Sequence, residues 1–246
     1  MAILADVAKV RVLTGRQVER LHFAHLGGMH RDRTRRRVLE RLAAAGLLTA
    51  LPRRVGGGRA GSAGMIFALG LVGQRWLSMQ ADGAATARTR QPGVPTERFL
   101  AHTLVVAELY VSLTEASRTD ALTLNDFRAE PAAWWRDSEG EWVKPDALAV
   151  VSNGDVEDSW AIEVDQATES LPTLRRKLAF YLDLARNEEH GPNRGPLPRV
   201  LITVPDERRR SAVGELLRSL PEPAGELFVV TVHSGAIAAI TEALQQ

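Results

Sequence analysis

The sequence predicts a two-domain α/β protein: a small helical module closed by a β-hairpin, then a larger domain in which strands alternate with helices. Three observations lead there. From about residue 97 onward, apolar residues switch between the 3.6-residue period of helices and the two-residue period of strands, a pattern that builds a mixed sheet covered by helices. Residues 80–95 are small, polar and interrupted by Pro92 and Pro95, and read as a linker between domains at 1–79 and 96–246. Charge is also segregated. Residues 1–60 carry thirteen Lys/Arg against four Asp/Glu, whereas the rest of the chain carries eighteen against twenty-six, although the net charge is only +1.

The N-terminal elements follow in order. After a short first helix, Thr14 is the expected N-cap of a helix over residues 15–21, with Val18 and Leu21 as its apolar face. Gly27-Gly28 breaks that helix. A second helix from about His30 to Ala45 has Val38, Leu39, Leu42 and Ala45 as its inward stripe and Gly46 as its stop. Two strands, residues 47–51 and 65–69, flank the tip GGGRAGSAG, and a short helix at 74–79 closes the module. That tip lacks the Gly-Lys-Ser/Thr of a phosphate loop and runs strand to strand, so it reads as a flexible wing tip.

Helix, helix, turn, arginine-rich helix and hairpin form the pattern of a winged helix-turn-helix, whose second helix lies in the major groove of double-stranded DNA. Arg31, Arg33, Arg35, Arg36 and Arg37 cluster in its first two turns, and Arg53, Arg54 and Arg59 fall in the wing. An arginine can bridge guanine or a phosphate, so base reading and backbone clamping are both open roles. A solvated basic helix in a bundle is the competing reading.

Composition excludes several classes. The chain has no cysteine, which rules out disulfides and thiolate metal sites and fits a reducing cytoplasm. No apolar run approaches the eighteen residues of a membrane span and no secretory signal opens the sequence, so a cytoplasmic protein without a membrane partner is expected. No Gly-x-Ser-x-Gly motif supports acyl transfer.

In the second domain a long amphipathic helix runs from about Glu97 to Glu115. Strands are expected at 122–128, 142–151, 160–166, 199–204 and 226–232, and helices at 169–186, 206–220 and from Ala236. Asn153-Gly154-Asp155 is a strong turn signal, which makes the second and third strands a hairpin. Lys144-Pro145-Asp146 opens one strand of that hairpin, and Glu163 and Asp165 share a face of the other by alternation. Three converging carboxylates would form a hard oxygen site for magnesium or manganese. The following helix carries Thr173, Lys177 and Tyr181 on one face. A surface ion-pair network with the nearby arginines is the competing reading. Trp134-Trp135 and Trp142 are a candidate stacking platform for unpaired bases, with packing against the sheet or a partner subunit the stronger reading.

The pattern resembles the PD-(D/E)xK nuclease superfamily, which implies a restriction-endonuclease-like fold for the second domain. The resemblance gives Asp146 and Glu163 as metal ligands. Asp165 stands where the family lysine belongs, and Lys177 on the next helix is the candidate for a migrated lysine. More specifically, the chain resembles the replication-relaxation family of plasmid, phage and integrated-element proteins. That resemblance rests on the arginine-rich module, FLAHTLVVAEL (99–109), and KPDALAVV followed by AIEVDQATESLPTLRRKLAFYLD. It implies a DNA-linked role in replication, maintenance or transcription control of a mobile element; Asp165 in the lysine position makes the nuclease-like domain read as degenerate. A magnesium- or manganese-dependent endonuclease or nickase using Asp146, Glu163, Asp165 and Lys177 is the alternative. The expected partner is double-stranded DNA, with a homodimer open.

Overall fold

The computed structural model describes residues 2–51, 64–82 and 95–245. The segment expected to form the wing, with Arg53, Arg54 and Arg59, and most of the expected linker lie outside the described residues. Contacts divide the chain into two compact units, Met1–Val111 and Ser112–Gln246.

In the first unit, α1 (Ala2–Val10) and the short strand β1 (Val12–Thr14) precede α2 (Gly15–His22) and α3 (Gly28–Ala44). The strands β2 (Leu48–Leu51) and β3 (Ile66–Leu69) then lead to α4 (Leu71–Asp82). All strand pairs here are antiparallel, in the order β1-β3-β2, with Val12 opposite Ala68 and Leu51 opposite Ile66. Leu4, Val7, Leu13, Val18, Leu39 and Leu48 are the buried side chains that hold helices and sheet together. Burial of each stabilises the unit by about 1.5–3 kcal/mol.

Local chemistry sets the boundaries. The Thr14 hydroxyl accepts from the Gln17 amide at 3.1 Å while the Gln17 side chain accepts from the Thr14 amide at 2.9 Å, a complete capping box on α2. Gly46, at φ 66°, supplies the left-handed residue that ends α3. At Gly73, the first turn of α4 runs against the Leu47 carbonyl so closely that a Cβ would overlap it.

The helix α5 (Glu97–Arg118) carries the division between the units. Its N-terminal part belongs to the first unit, where the Tyr110 hydroxyl donates to Asp6 at 2.6 Å and His22 meets the same carboxylate at 2.8 Å. Burial opposes charge on Asp6, but the His22 and Tyr110 hydrogen bonds outweigh it and hold the carboxyl below its usual range. An eighteen-residue window of α5 reaches mean hydropathy 1.2, so this helix is long and apolar enough to cross a membrane by length and composition. By sequence this segment reads as a long amphipathic helix, with no unbroken apolar run of eighteen residues. Half of that window is buried, including Val106, Leu109, Val111 and Leu113.

The second unit is built on a mixed five-stranded sheet. Its strands are β4 (Thr123–Ala129), β7 (Ala147–Ser152), β8 (Glu157–Val164), β9 (Arg199–Val204) and β10 (Phe228–Val232), and their order is β10-β9-β8-β7-β4. The first three form an antiparallel meander; β8, β9 and β10 run parallel. The parallel connections are helical, through α6 (Leu171–Arg186) and then through α7 (Glu207–Arg218) and α8 (Ala224–Leu227). A small hairpin of β5 (Trp135–Arg136) and β6 (Trp142–Val143) precedes β7, and α9 (Ala236–Ala243) ends the chain. The strand expected over 142–151 is therefore two strands. Pro145 has no amide hydrogen to give to a ladder, and pairing with β8 resumes at Asp146, whose amide donates to the Ile162 carbonyl at 3.0 Å.

Ala161 of β8 and Val200, Ile202 and Val204 of β9 pack in one buried cluster with Leu174, Leu178 and Tyr181 of α6 and Val213 of α7. By the two-residue alternation, Glu163 and Asp165 lie on that same helix-covered face. The turn at Asn153-Gly154, with Gly154 at φ 98°, joins β7 to β8 and sets the register that places Ala147 opposite Ile162.

Candidate functional site

Two groups of side chains carry chemistry, one in each unit. In the first unit, the arginines of α3 divide by helical face. Arg35 is 3% exposed and joins Glu19 of α2 to Asp32 of its own helix. It ties two helices together and is turned away from solvent. Arg31 donates from Nε to the Leu26 carbonyl at 2.7 Å and from its guanidinium to the Ala24 carbonyl at 3.1 Å, closing the turn between α2 and α3. Arg33, Arg36 and Arg37 are exposed, as is Arg41 one turn further on. Arg36 meets Asp32 at 2.8 Å, and this contact, with Arg35 adding to it, holds the Asp32 carboxyl below its usual range. The inner row of α3 is Arg35 and Leu39, with Val38 and Leu42 only half-buried and Ala45 exposed.

In the second unit, Glu163 near the end of β8 is 2% exposed. The Tyr181 hydroxyl donates to its Oε1 at 2.6 Å, and the Lys177 ammonium is ion-paired with its Oε2. Both partners come from α6, one turn apart, so a single helix face supplies both. Asp146 directly precedes the neighbouring strand β7, and its Oδ2 accepts from the Val164 amide at 2.7 Å, next to Glu163 in the chain. Burial, assisted by the Asp146 charge, pushes the Glu163 carboxyl up to about 7 against the opposing pull of Lys177 and Tyr181. Burial disfavours the Lys177 ammonium, but the two carboxylates outweigh it and hold that group above its ordinary value. Burial and the Glu163 charge raise the Tyr181 phenol well above its own.

The structure thus brings together Asp146, Glu163 and Lys177, with Tyr181 as a fourth member. It directs Asp165 elsewhere. That carboxylate accepts from the Ala167 amide at 2.7 Å and from Arg209 of α7 at 2.6 Å. Arg209 lies 44 residues away in sequence, and no local pattern connects it to Asp165. Thr173 is exposed and bonded to Ser170 in the first turn of α6, so it takes no part. The fit to a divalent metal is poor. Glu163 is buried, with Oε1 taken by the Tyr181 hydroxyl and Oε2 ion-paired with Lys177, and among the described residues no group of three or more His, Asp or Glu is disposed to hold an ion.

The family model for replication-relaxation covers residues 4–200, from α1 to the start of β9 and including both groups of side chains. No curated protein and no solved structure matches the chain. A match over that share of the sequence makes the chain a member of the replication-relaxation family.

Proposed function

We propose that this protein binds double-stranded DNA of a mobile genetic element through the outer face of α3, and acts in that element's replication, maintenance or transcription control. The observation that carries the reading is the division of the α3 arginines. Arg31 and Arg35 hold the helix in place, while Arg33, Arg36, Arg37 and Arg41 are exposed together. The element order α1-β1-α2-α3-β2-β3 and the strand order β1-β3-β2 support a winged helix-turn-helix, in which such a helix enters the major groove. Family membership supports the link to replication.

On this reading the second unit is a nuclease-like fold without catalysis. Its meander β4-β7-β8, helix α6 and parallel β9 are compatible with the α-β-β-β-α-β plan of PD-(D/E)xK proteins, and on this reading Asp146 and Glu163 are the counterparts of the carboxylates of that plan. The sealed Glu163 and the diversion of Asp165 to Arg209 argue that the domain now supports docking, dimerisation or additional DNA contact.

Fluorescence anisotropy of labelled duplex DNA tests the main claim. Micromolar or tighter binding that weakens steeply with salt is expected, and no binding to any duplex at low salt would overturn it. A second reading, a magnesium- or manganese-dependent endonuclease or nickase, is favoured by the meeting of Lys177 with Glu163 beside Asp146. Incubation with supercoiled plasmid and either metal separates the two: nicks that disappear in Glu163→Gln would establish cleavage.

A further inference from the structure

We propose that Met29 is a base-reading residue that meets the 5-methyl group of thymine in the major groove. The assignment rests on the reading of α3 as the DNA-contacting helix. Met29 is 92% exposed, the highest value among the exposed large apolar side chains of the described residues. It stands in the first turn of α3, directly after Gly27 and Gly28, where an added Cβ would meet nothing within 4 Å. Its side chain therefore contributes nothing to the core, and folding gives no reason for a methionine there.

Position supplies the reason. Residues 29, 33, 36 and 37 stand at i, i+4, i+7 and i+8, so Met29 heads the same exposed stripe as Arg33, Arg36 and Arg37. The N-terminal turns of a recognition helix reach base edges, and cations further along reach guanine or phosphate. The major-groove edge of the bases has one apolar group, the thymine methyl. An unbranched, flexible thioether can follow it without demanding one fixed geometry. A second copy of this chain is the other apolar partner to consider. A two-fold contact through Met29 would set this arginine stripe against its own copy, and like charges oppose that pairing. Charge favours the polyanion.

The test uses the full chain. Binding-site selection from a random duplex pool yields a preferred duplex; thymines in it are then replaced one at a time by deoxyuridine, which lacks only the methyl. For the wild type, one replacement is expected to weaken binding by about four-fold, the effect of burying roughly one methyl-sized group. Met29→Ala should bind the thymine duplex about as weakly as the wild type binds that uridine duplex, and should be insensitive to the replacement. Its thermal midpoint should match the wild type, because the side chain packs on nothing. Duplex binding without methyl dependence, or methyl dependence that persists in Met29→Ala, would overturn the role of Met29 and leave DNA binding intact. A DNA-free dimer lost in Met29→Ala would assign the residue to a copy interface instead. Absence of any duplex binding would remove the underlying reading as well.

Discussion

Replacement of Glu163 by glutamine should flatten a pH dependence of stability that the wild type carries. In the folded protein the Glu163 carboxyl is pushed up to about 7, first by burial and then by the neighbouring Asp146 charge, whereas its ordinary value is 4.5. Between those values the folded state holds a proton that the unfolded state has released. The stabilising contribution is therefore complete below about pH 4.5 and is lost as pH rises through about 7. Each tenfold change in proton affinity corresponds to about 1.36 kcal/mol, so the full span amounts to about 3 kcal/mol. Lys177, held above its ordinary value of 10.5, stays charged in both states over this range and adds no slope. Urea unfolding followed by tryptophan fluorescence suits the measurement, because the fully buried Trp160 lies on the same strand. The quantity to plot is wild-type stability minus that of Glu163→Gln, which cancels the histidines and other shared groups. The wild type should lose about 3 kcal/mol relative to the variant between about pH 4.5 and 8. A flat difference, or one that grows with pH, would refute the reasoning, since it would mean that Lys177 holds the carboxylate charged at an ordinary or lowered value.

Further substitutions at four positions probe the first unit. Arg35→Ala removes a buried cation from its Glu19 partner on the adjacent helix and should cost about 2–4 kcal/mol in thermal or urea unfolding, whereas Arg33→Ala should change stability by less than about 0.5 kcal/mol while weakening DNA binding. Thr14→Ala breaks the capping box of α2 and should cost about 1 kcal/mol, with Thr14→Ser retaining most of that stability. Gly73→Ala forces a Cβ into the Leu47 carbonyl oxygen and should destabilise the unit by more than about 2 kcal/mol, read as a lowered thermal midpoint or loss of soluble expression.

Features of the fold that depend on local chemistry were legible in the sequence. Thr14 marks the start of α2, Gly46 marks the end of α3, and Asn153-Gly154 marks the turn that pairs β7 with β8. Alternation along β8 was enough to put Glu163 and Asp165 on one face, and helical spacing was enough to put Lys177 and Tyr181 on another. The partners each carboxylate would choose were not legible, because they depend on elements distant in sequence. Asp165 turns to Arg209 on α7, and nothing near either residue announces it. Arg35 looked like one more exposed cation in a basic run, yet its guanidinium lies inside, where Glu19 and Asp32 neutralise it. That inversion also displaced the expected stripe, since the inner row runs through Arg35 and Leu39 and leaves Val38 and Leu42 at its margin. The three-residue strand β1 is too short for any periodicity, and it exists because β3 offers it an open edge.

The two units assign different work to similar chemistry. Ion pairs in the interior, Arg35 with Glu19 and Lys177 with Glu163, fix the position of helices at a desolvation cost that removal of either partner would expose. Exposed charges on the outer face of α3 contribute little to folding and remain available for a polyanion.

The central claim, that the outer face of α3 holds DNA, is tested most directly by the salt dependence of duplex binding in wild type and in Arg33→Ala/Arg37→Ala. Each phosphate contact neutralised by a cation adds about 0.9 to the slope of log affinity against log salt concentration. If both arginines face the duplex backbone, the double variant should bind more weakly and its slope should fall by about 2. If one of them reads a base, the slope should fall by about 1, with preference relaxed at that base. Unchanged affinity and slope in a folded double variant would contradict the account and move any DNA contact off this helix.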